Sequence, residues 1–193
     1  HTIPPHEVNY CANLWALKQA GATCIVSIAS VGGIRADLEP GAIVIPHQII
    51  DYTWGRKSTF HEGGDAQVVH IDFTQPYDPE LRRVLLAAAR DAGQAVIDGS
   101  VYAATQGPRL ETAAEIDRIE RDGADIVGMT GMPEAALARE LELPYAAITV
   151  VANHAAGRGD SKLGIQFARL EDILRESMER VRHIIEMICI DGK

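Results

Sequence analysis

Hydrophobic and polar positions follow two different periods along the chain, and the changes between them predict strands separated by helices. Apolar residues at positions 8, 11, 12 and 15 have the helical spacing i, i+3, i+4, i+7, so a first helix is predicted there, ending at Gly21. Short apolar runs predict strands at CIVSIAS from Cys24, AIVIPHQII, VVHIDF, AVIDGSVYAAT, ADIVGM and PYAAITVVAN. Helices are predicted at ELRRVLLAAARDA (about 79 to 92), in GPRLETAAEIDRIERDG after a turn, and at PEAALARELEL. The last helix has an apolar stripe of Leu170, Ile173, Leu174, Val181, Ile184, Ile185 and Ile188.

This order of elements predicts an α/β protein with one domain over residues 1–193. We expect a central mixed, largely parallel sheet flanked by helices, with sites where the strands end. Pro46 inside AIVIPHQII predicts an edge, a bend or a bulge at that point. Residues 51–66 have lost the apolar periodicity, and such long excursions in compact domains often carry function.

The net charge of −9 restricts the partners that this protein can bind. Because such a surface repels phosphate polymers and anionic lipids, we expect no nucleic-acid partner and no membrane partner. The three cysteines lie in or beside apolar segments, which favours buried thiols in a reducing compartment over a disulfide framework. No segment resembles a signal peptide or a membrane span, so a cytoplasmic location is expected.

Polar or glycine-rich turns follow four of the predicted strands and would converge on one crevice of such a sheet. They are SVGG (30–33), TQGPRLE (105–111), GMTG (128–131) and ANH (152–154). Each turn also has a structural explanation: the glycine pair suits a tight turn, Thr130 a helix cap, and Glu111 a first helical turn. The functional alternatives are an anion site on free backbone N–H groups and, at Thr130, a phosphate site where a helix begins with Pro133.

Known metal and nucleotide motifs are absent from the sequence. HExxH, CxxC, GxGxxG and GxxxxGK[ST] do not occur, and neither a metal spacing nor a Ser-His-Asp arrangement can be assembled from the histidines and cysteines. His70 in VVHIDF fits a hydrogen-bonded structural histidine in a short strand, and His154 has no identified acid partner. We therefore expect no metal and no cofactor.

Four longer blocks carry a more specific signal: HTIPPHEVNYCANLWAL, IRADLEPGAIVIPHQIIDYT, TQGPRLETAAE and GADIVGMTGMPEAALARELELPYAAI. Together they cover nearly the whole chain, and the pattern GMT-x-x-PE-x-x-LA with GPR-x-E before it is distinctive. The chain resembles the trimeric purine nucleoside phosphorylase and methylthioadenosine phosphorylase family. This resemblance implies phosphorolysis: inorganic phosphate, the co-substrate, attacks C1′ of a purine nucleoside and releases the free base.

The resemblance also assigns candidate roles. Ser30, Thr130 and His1 resemble phosphate-binding residues, while Met129 would pack against the sugar and Leu110 against the base. His70 matches a histidine that the methylthioadenosine branch lends to a neighbouring subunit, so a homotrimer is implied. The family also has an N-terminal strand, a glycine-containing phosphate loop and an Arg-His pair, all of which would precede His1. We therefore expect this sequence to lack an N-terminal part.

Asn153 is the candidate catalytic residue, because an Asn amide can donate to O6 or N7 of the departing base while Glu111 accepts from N1–H. This pair suits a 6-oxopurine, whereas the methylthioadenosine branch places aspartates at positions 153 and 155. At the sugar end, Phe167 and Leu170 stand where inosine phosphorylases have a histidine, which favours a 5′-methylthio group. The combination resembles the methylthioinosine-cleaving branch. Inosine, guanosine or methylthioadenosine phosphorolysis and a non-catalytic purine-binding protein are the alternatives.

Overall fold

The seven strands in the described part of the chain belong to one mixed sheet. The computed structural model describes residues 2–63 and 68–190, and the strand order is β3-β5-β6-β1-β7-β2-β4. The strands are β1 (Ile25–Gly33), β2 (Ile43–Ile45), β3 (Gln48–Asp51), β4 (Ile97–Asp98), β5 (Val101–Ala104), β6 (Ile126–Gly128) and β7 (Tyr145–His154). Only the β1–β6 and β2–β7 pairs are antiparallel. The other four pairs are parallel, which confirms the largely parallel α/β sheet.

The described residues form five α-helices. They are α1 (Tyr10–Gln19), α2 (Pro79–Asp91), α3 (Ala113–Arg121), α4 (Glu134–Glu140) and α5 (Leu170–Ile190). Helices α2, α3 and α4 connect strands, whereas α1 precedes β1 and α5 follows β7. Side-chain caps explain three of the starts: Asn9 accepts from the Ala12 N–H, Asp78 from the Leu81 N–H, and Thr112 from the Glu115 N–H. Each of these caps satisfies a backbone donor that the first helical turn leaves unpaired.

The helices cover both faces of the sheet, as predicted, and form three apolar clusters. Helices α1 and α4 pack on one face through Tyr10, Leu14 and Leu137. On the opposite face, α2 and α5 cover β2 and β7, with Val181 and Ile184 of α5 fully buried. Helix α3 covers β5 and β6 on that same face through a separate cluster that contains Ile116 and Ile119.

Between α3 and the α2–α5 pair, the central strand is open to solvent. Ser30 is exposed and Ile28 is 44% exposed, although both belong to β1 in the middle of the sheet. Strand β6 pairs with β1 only at Gly32 and Gly33, so within the described residues the earlier part of β1 pairs only with β7. Strand β1 therefore forms the floor of a groove between α3 and the α2–α5 pair.

Several local predictions were wrong. VVHIDF forms no strand, since residues 68–73 have no regular structure and His70 is exposed. AVIDGSVYAAT is divided into β4 and β5, because Gly99 adopts a positive φ of 87° that no strand continues through. Pro133 precedes α4 as its cap residue and is not its first helical residue. The predicted bend at Pro46 is present between β2 and β3.

Two predictions of burial also need correction. In α1 the buried residues are Tyr10 and Leu14, whereas Trp15 is 53% exposed and contacts the ring of Phe60. Cys24 and Cys189 are exposed, so the expectation of buried thiols was wrong for both; all three cysteines are free. No helix in the described part of the chain is long and apolar enough to cross a membrane.

Candidate active site

The antiparallel direction of β6 brings the predicted turns together in an unexpected way. Gly32 of β1 pairs with Val127 of β6 on one side and with Asn153 of β7 on the other, so these three residues lie side by side across the sheet. Continuing the antiparallel register places Met129 beside Ser30, in the middle of β1 and not at its end. The turn after β6 is therefore directed toward the middle of β1, while Asn153 lies beside the end of β1, so the carboxyl ends of these strands do not all share one edge.

Glu111 is held at the end of β5 by a side-chain hydrogen bond. The Thr105 hydroxyl donates to Glu111 Oε1 at 2.7 Å, and the Thr105 N–H donates to the Gly128 carbonyl at 2.8 Å. Gly107 lies against the Met129 thioether, leaving no room for a Cβ at position 107. The structure thus brings Glu111 next to the turn that carries Met129, while Leu110 beside it is 40% exposed.

The turn Met129–Met132 has fewer free donors than predicted. The Thr130 N–H donates to the buried Tyr102 hydroxyl at a long 3.4 Å, and burial raises the pKa of that phenol. Gly32 and Gly33 lie inside β1 and pair with β6 and β7, so they form no turn with free N–H groups. Their small size is required instead, since a Cβ on Gly33 would lie 2.6 Å from the Leu38 carbonyl oxygen.

Asn153 is the last residue but one of β7, and His154, which ends the strand, has acid partners that the sequence did not reveal. His154 Nδ1 lies 2.8 Å from Asp160 Oδ1, and Nε2 lies 3.4 Å from Glu39 Oε2. The hydrogen bond from His154 lowers the pKa of Asp160. The Asn153 amide donates to the His154 carbonyl at 2.6 Å. His154 therefore fastens the segment after β7, and its ring is packed against Gly159.

Leu170 shares a small cavity with Asn153, whereas the other residues predicted at the sugar end are not brought there. The cavity has a volume of about 30 Å³, the room of about one water molecule, and Pro40 and Ile173 also line it. Phe167 precedes α5 in a 3-10 turn and is 65% exposed. His70 is exposed on the irregular segment after the excursion. His1 lies outside the described residues.

Comparison with known proteins identifies the family. The model of the phosphorylase superfamily matches residues 1–188. The chain belongs to this superfamily. It is 55% identical to the probable S-methyl-5′-thioinosine phosphorylase of Pseudomonas syringae pv. tomato, over 94% of this chain and 73% of that protein. The corresponding Xanthomonas campestris pv. campestris protein is also 55% identical, over 84% of this chain and 65% of its own length.

A solved structure supports the same assignment at the level of the fold. Methylthioadenosine phosphorylase from Schistosoma mansoni in complex with adenine superposes with a TM-score of 0.92 at 32% identity, covering 100% of this chain and 73% of that one. The phosphorylase chain thus spans 65% to 73% of the length of these three similar proteins.

One residue of this phosphorylase site escaped the sequence analysis altogether. Arg56 lies in the excursion of residues 51–66, and its guanidinium donates to the carbonyl oxygens of Thr105, Gln106, Met129 and Met132 at 2.6 to 3.2 Å. The only available signal was an arginine in a polar segment without periodicity. That signal does not distinguish such a residue from an exposed charge.

The described residues contain no cluster of three or more His, Cys, Asp or Glu side chains arranged to hold a metal ion. The residues predicted for the site instead supply a serine and a threonine hydroxyl, a carboxylate and an amide, from Ser30, Thr130, Glu111 and Asn153. These groups can hydrogen-bond an anion and the polar edge of a heterocycle.

Proposed function

We propose that this protein catalyses the phosphorolysis of S-methyl-5′-thioinosine to hypoxanthine and 5-methylthioribose 1-phosphate. The observation that carries the proposal is the 55% identity to probable S-methyl-5′-thioinosine phosphorylases, and the carboxylate of Glu111 and the amide of Asn153 support it as the proposed purine contacts. The proposed reaction needs no cofactor, because inorganic phosphate is the second substrate.

The pair favours a 6-oxopurine over a 6-aminopurine. Hypoxanthine presents an O6 acceptor and an N1–H donor, which match the amide N–H of Asn153 and the carboxylate of Glu111. Adenine presents an N6 donor and an N1 acceptor, so the Glu111 carboxylate would face a lone pair. Since the mismatch would leave desolvated polar groups unpaired, discrimination against adenine can be strong.

The sugar end of the proposed site combines apolar residues with the polar residues Asp160, Ser161, Gln166 and Arg169. Leu170 and Ile173, in the first turn of α5, lie close to Asn153 across the small cavity. The side chains of Leu170 and Ile173 can bury the methylthio group of the substrate and cannot themselves hydrogen-bond a 5′-hydroxyl. Phe167 stands one turn earlier and would join these two side chains if its exposed ring turned toward the groove on binding.

In the proposed reaction a phosphate oxygen forms a bond to C1′ while the bond between C1′ and N9 breaks. The electron pair of the broken C1′–N9 bond leaves with the purine. The hydroxyls of Ser30 and Thr130 would hold the phosphate below the sugar, and Met129 would support the ribose. The Asn153 amide would stabilise the negative charge that develops on O6 and N7 of the departing base. His1 is proposed as a further phosphate contact.

Comparison of kcat/KM for methylthioinosine, methylthioadenosine and inosine, each with phosphate, tests this proposal. We expect methylthioinosine to be preferred over both by at least about tenfold, equivalent to about 1.4 kcal/mol of transition-state binding. A preference for methylthioadenosine would refute the role of the Glu111–Asn153 pair. A preference for inosine would refute only the apolar sugar pocket and favour an inosine or guanosine phosphorylase. Purine binding without turnover would identify a non-catalytic protein.

The proposal includes a homotrimer in the cytoplasm. An exposed His70 with exposed Val68 (72%) and Val69 (45%) beside it suits a segment that meets a neighbouring subunit. Three free cysteines agree with a reducing compartment.

A further inference from the structure

Arg56 connects the two turns on which the proposed site is built. NH1 of its guanidinium donates to the carbonyl oxygens of Met129 at 2.8 Å and Met132 at 2.6 Å. NH2 donates to the carbonyl oxygens of Thr105 at 3.2 Å and Gln106 at 2.8 Å. One rigid group therefore holds the turn after β5 and the turn after β6 at a fixed separation.

The position of Arg56 is itself well determined. Its Nε donates to Gln106 Oε1 at 3.2 Å, and the same oxygen accepts from the Trp54 N–H at 3.1 Å. The guanidinium also lies over the ring of Tyr10, 5.7 Å from its centre, at the start of α1. These contacts come from three separate parts of the chain, so the excursion is anchored at this point.

The two turns carry the groups that the reaction uses. Thr105, whose carbonyl binds Arg56, donates its hydroxyl to Glu111. Met129, whose carbonyl also binds Arg56, precedes Thr130 and faces Gly107. A shift of one turn against the other would therefore separate the purine contact from the sugar and phosphate contacts.

We propose that Arg56 is a positioning residue for phosphorolysis, which keeps Glu111 in register with Met129 and Thr130; this inference rests on the proposed function. In this role Arg56 contacts neither the nucleoside nor the phosphate. Its planar fork satisfies carbonyl oxygens of both turns at once, which a lysine ammonium on a flexible stem cannot reproduce. A displacement of about 1 Å between reacting groups can cost about 100-fold in rate.

The protein offers a matched control in Arg180 of α5. Its guanidinium donates to the carbonyl oxygens of Gly41 at 2.9 Å and Ala95 at 3.0 Å, and its Nε donates to Gln94 Oε1 at 3.2 Å. Arg180 thus makes a similar set of bonds between two loops, away from the residues of the proposed site.

The test compares Arg56→Lys with Arg180→Lys for the phosphorolysis of methylthioinosine, with the thermal midpoint of each variant measured beside its activity. We expect both to lose stability, but only Arg56→Lys to lose kcat/KM, by about 100-fold, mainly in kcat. Methylguanidinium added to Arg56→Ala should restore part of kcat, and the same addition to Arg180→Ala should not change it. If Arg56→Lys does not fold, Gln106→Met against Gln94→Met provides the same comparison with a smaller change.

If the unmodified protein turns over methylthioinosine and the Arg56 variant is as active as its Arg180 control, or the Gln106 variant as active as its Gln94 control, the role of Arg56 is overturned. The proposed function then still stands. Absence of turnover by the unmodified protein with all three nucleosides would overturn the proposed function itself, and with it this inference.

Discussion

At the residue scale, the chemistry of the site depends on which polar atoms face the purine. Glu111 is oriented by the Thr105 hydroxyl, whereas the Asn153 amide N–H donates to the His154 carbonyl. In the proposed reaction, Asn153 would exchange this local bond for one to the purine when substrate binds. The exchange is possible because the strand holds its backbone beside Gly32 while the side chain can rotate.

Asn153→Asp should reverse part of the base preference. A carboxylate accepts from the adenine N6 amino group but repels O6 of hypoxanthine, so the ratio of kcat/KM for methylthioinosine to that for methylthioadenosine should fall by at least about tenfold. Asn13→Asp, an identical change on the exposed side of α1, is the control and should leave the ratio unchanged. If the two variants keep the same ratio, Asn153 does not read the base.

At the scale of the element, α3 follows directly after Glu111 and begins with a capping box. The Thr112 hydroxyl accepts from the Glu115 N–H at 3.1 Å, and Glu115 Oε2 accepts from the Thr112 N–H at 2.8 Å. Arg109 pairs with both oxygens of Glu115 at 2.8 Å. Arg109 thus supports the start of the helix that follows Glu111.

This cap predicts a loss of stability in acid. The side-chain hydrogen bond from Arg109, followed by the bond from the Thr112 backbone, lowers the pKa of Glu115 from 4.5 to about 2. A depressed pKa means that its stabilising contribution is present above pH 4.5 and is lost as the pH falls toward 2. In urea unfolding between pH 7 and pH 3, Glu115→Gln should therefore lose less of its stability than the unmodified protein.

Thr112→Ala should lower the unfolding free energy by about 1 kcal/mol at pH 7, the usual value of a helix cap. Ser58→Ala, which removes an exposed hydroxyl outside any helix, is the control and should change it by less than about 0.5 kcal/mol. Equal urea midpoints for the two variants would contradict the capping role.

At the scale of the whole molecule, helices leave one groove uncovered, and the proposed trimer would complete it with His70 from a neighbour. Co-expression of His70→Ala with Glu111→Ala tests this arrangement. Each variant alone should have low activity. In mixed trimers, however, a site can combine the intact Glu111 of a His70→Ala subunit with the intact His70 of a neighbouring Glu111→Ala subunit. Random assembly should restore about one quarter of the sites.

Sedimentation equilibrium provides the control, because it should give three times the mass of the chain for each variant and for the mixture. A monomer would contradict the trimer. Mixed trimers without restored activity would show that His70 does not act in a neighbouring site.

The sequence alone was sufficient to predict most of the elements and the class of fold. Apolar periodicity depends on residues within one turn of a helix or one strand, so the prediction of a helix from 79 to 92 agrees with α2 within one residue. It failed at VVHIDF because an apolar run forms a strand only when a neighbouring strand pairs with it. The grouping of Ser30, Glu111, Thr130 and Asn153 at one site is still a prediction for function.

What the sequence by itself determined is the alternation of strands and helices and the family, while the base preference read from Glu111 and Asn153 stays a prediction. The tertiary structure decided which groups meet. The antiparallel pairing of β6 directs its following turn toward the middle of β1, the segment after β7 gave His154 its partner Asp160, and the excursion brought Arg56 to carbonyl groups 49 to 76 residues away. The physical reason is that such contacts depend on strand direction and register, which local patterns of residues do not encode.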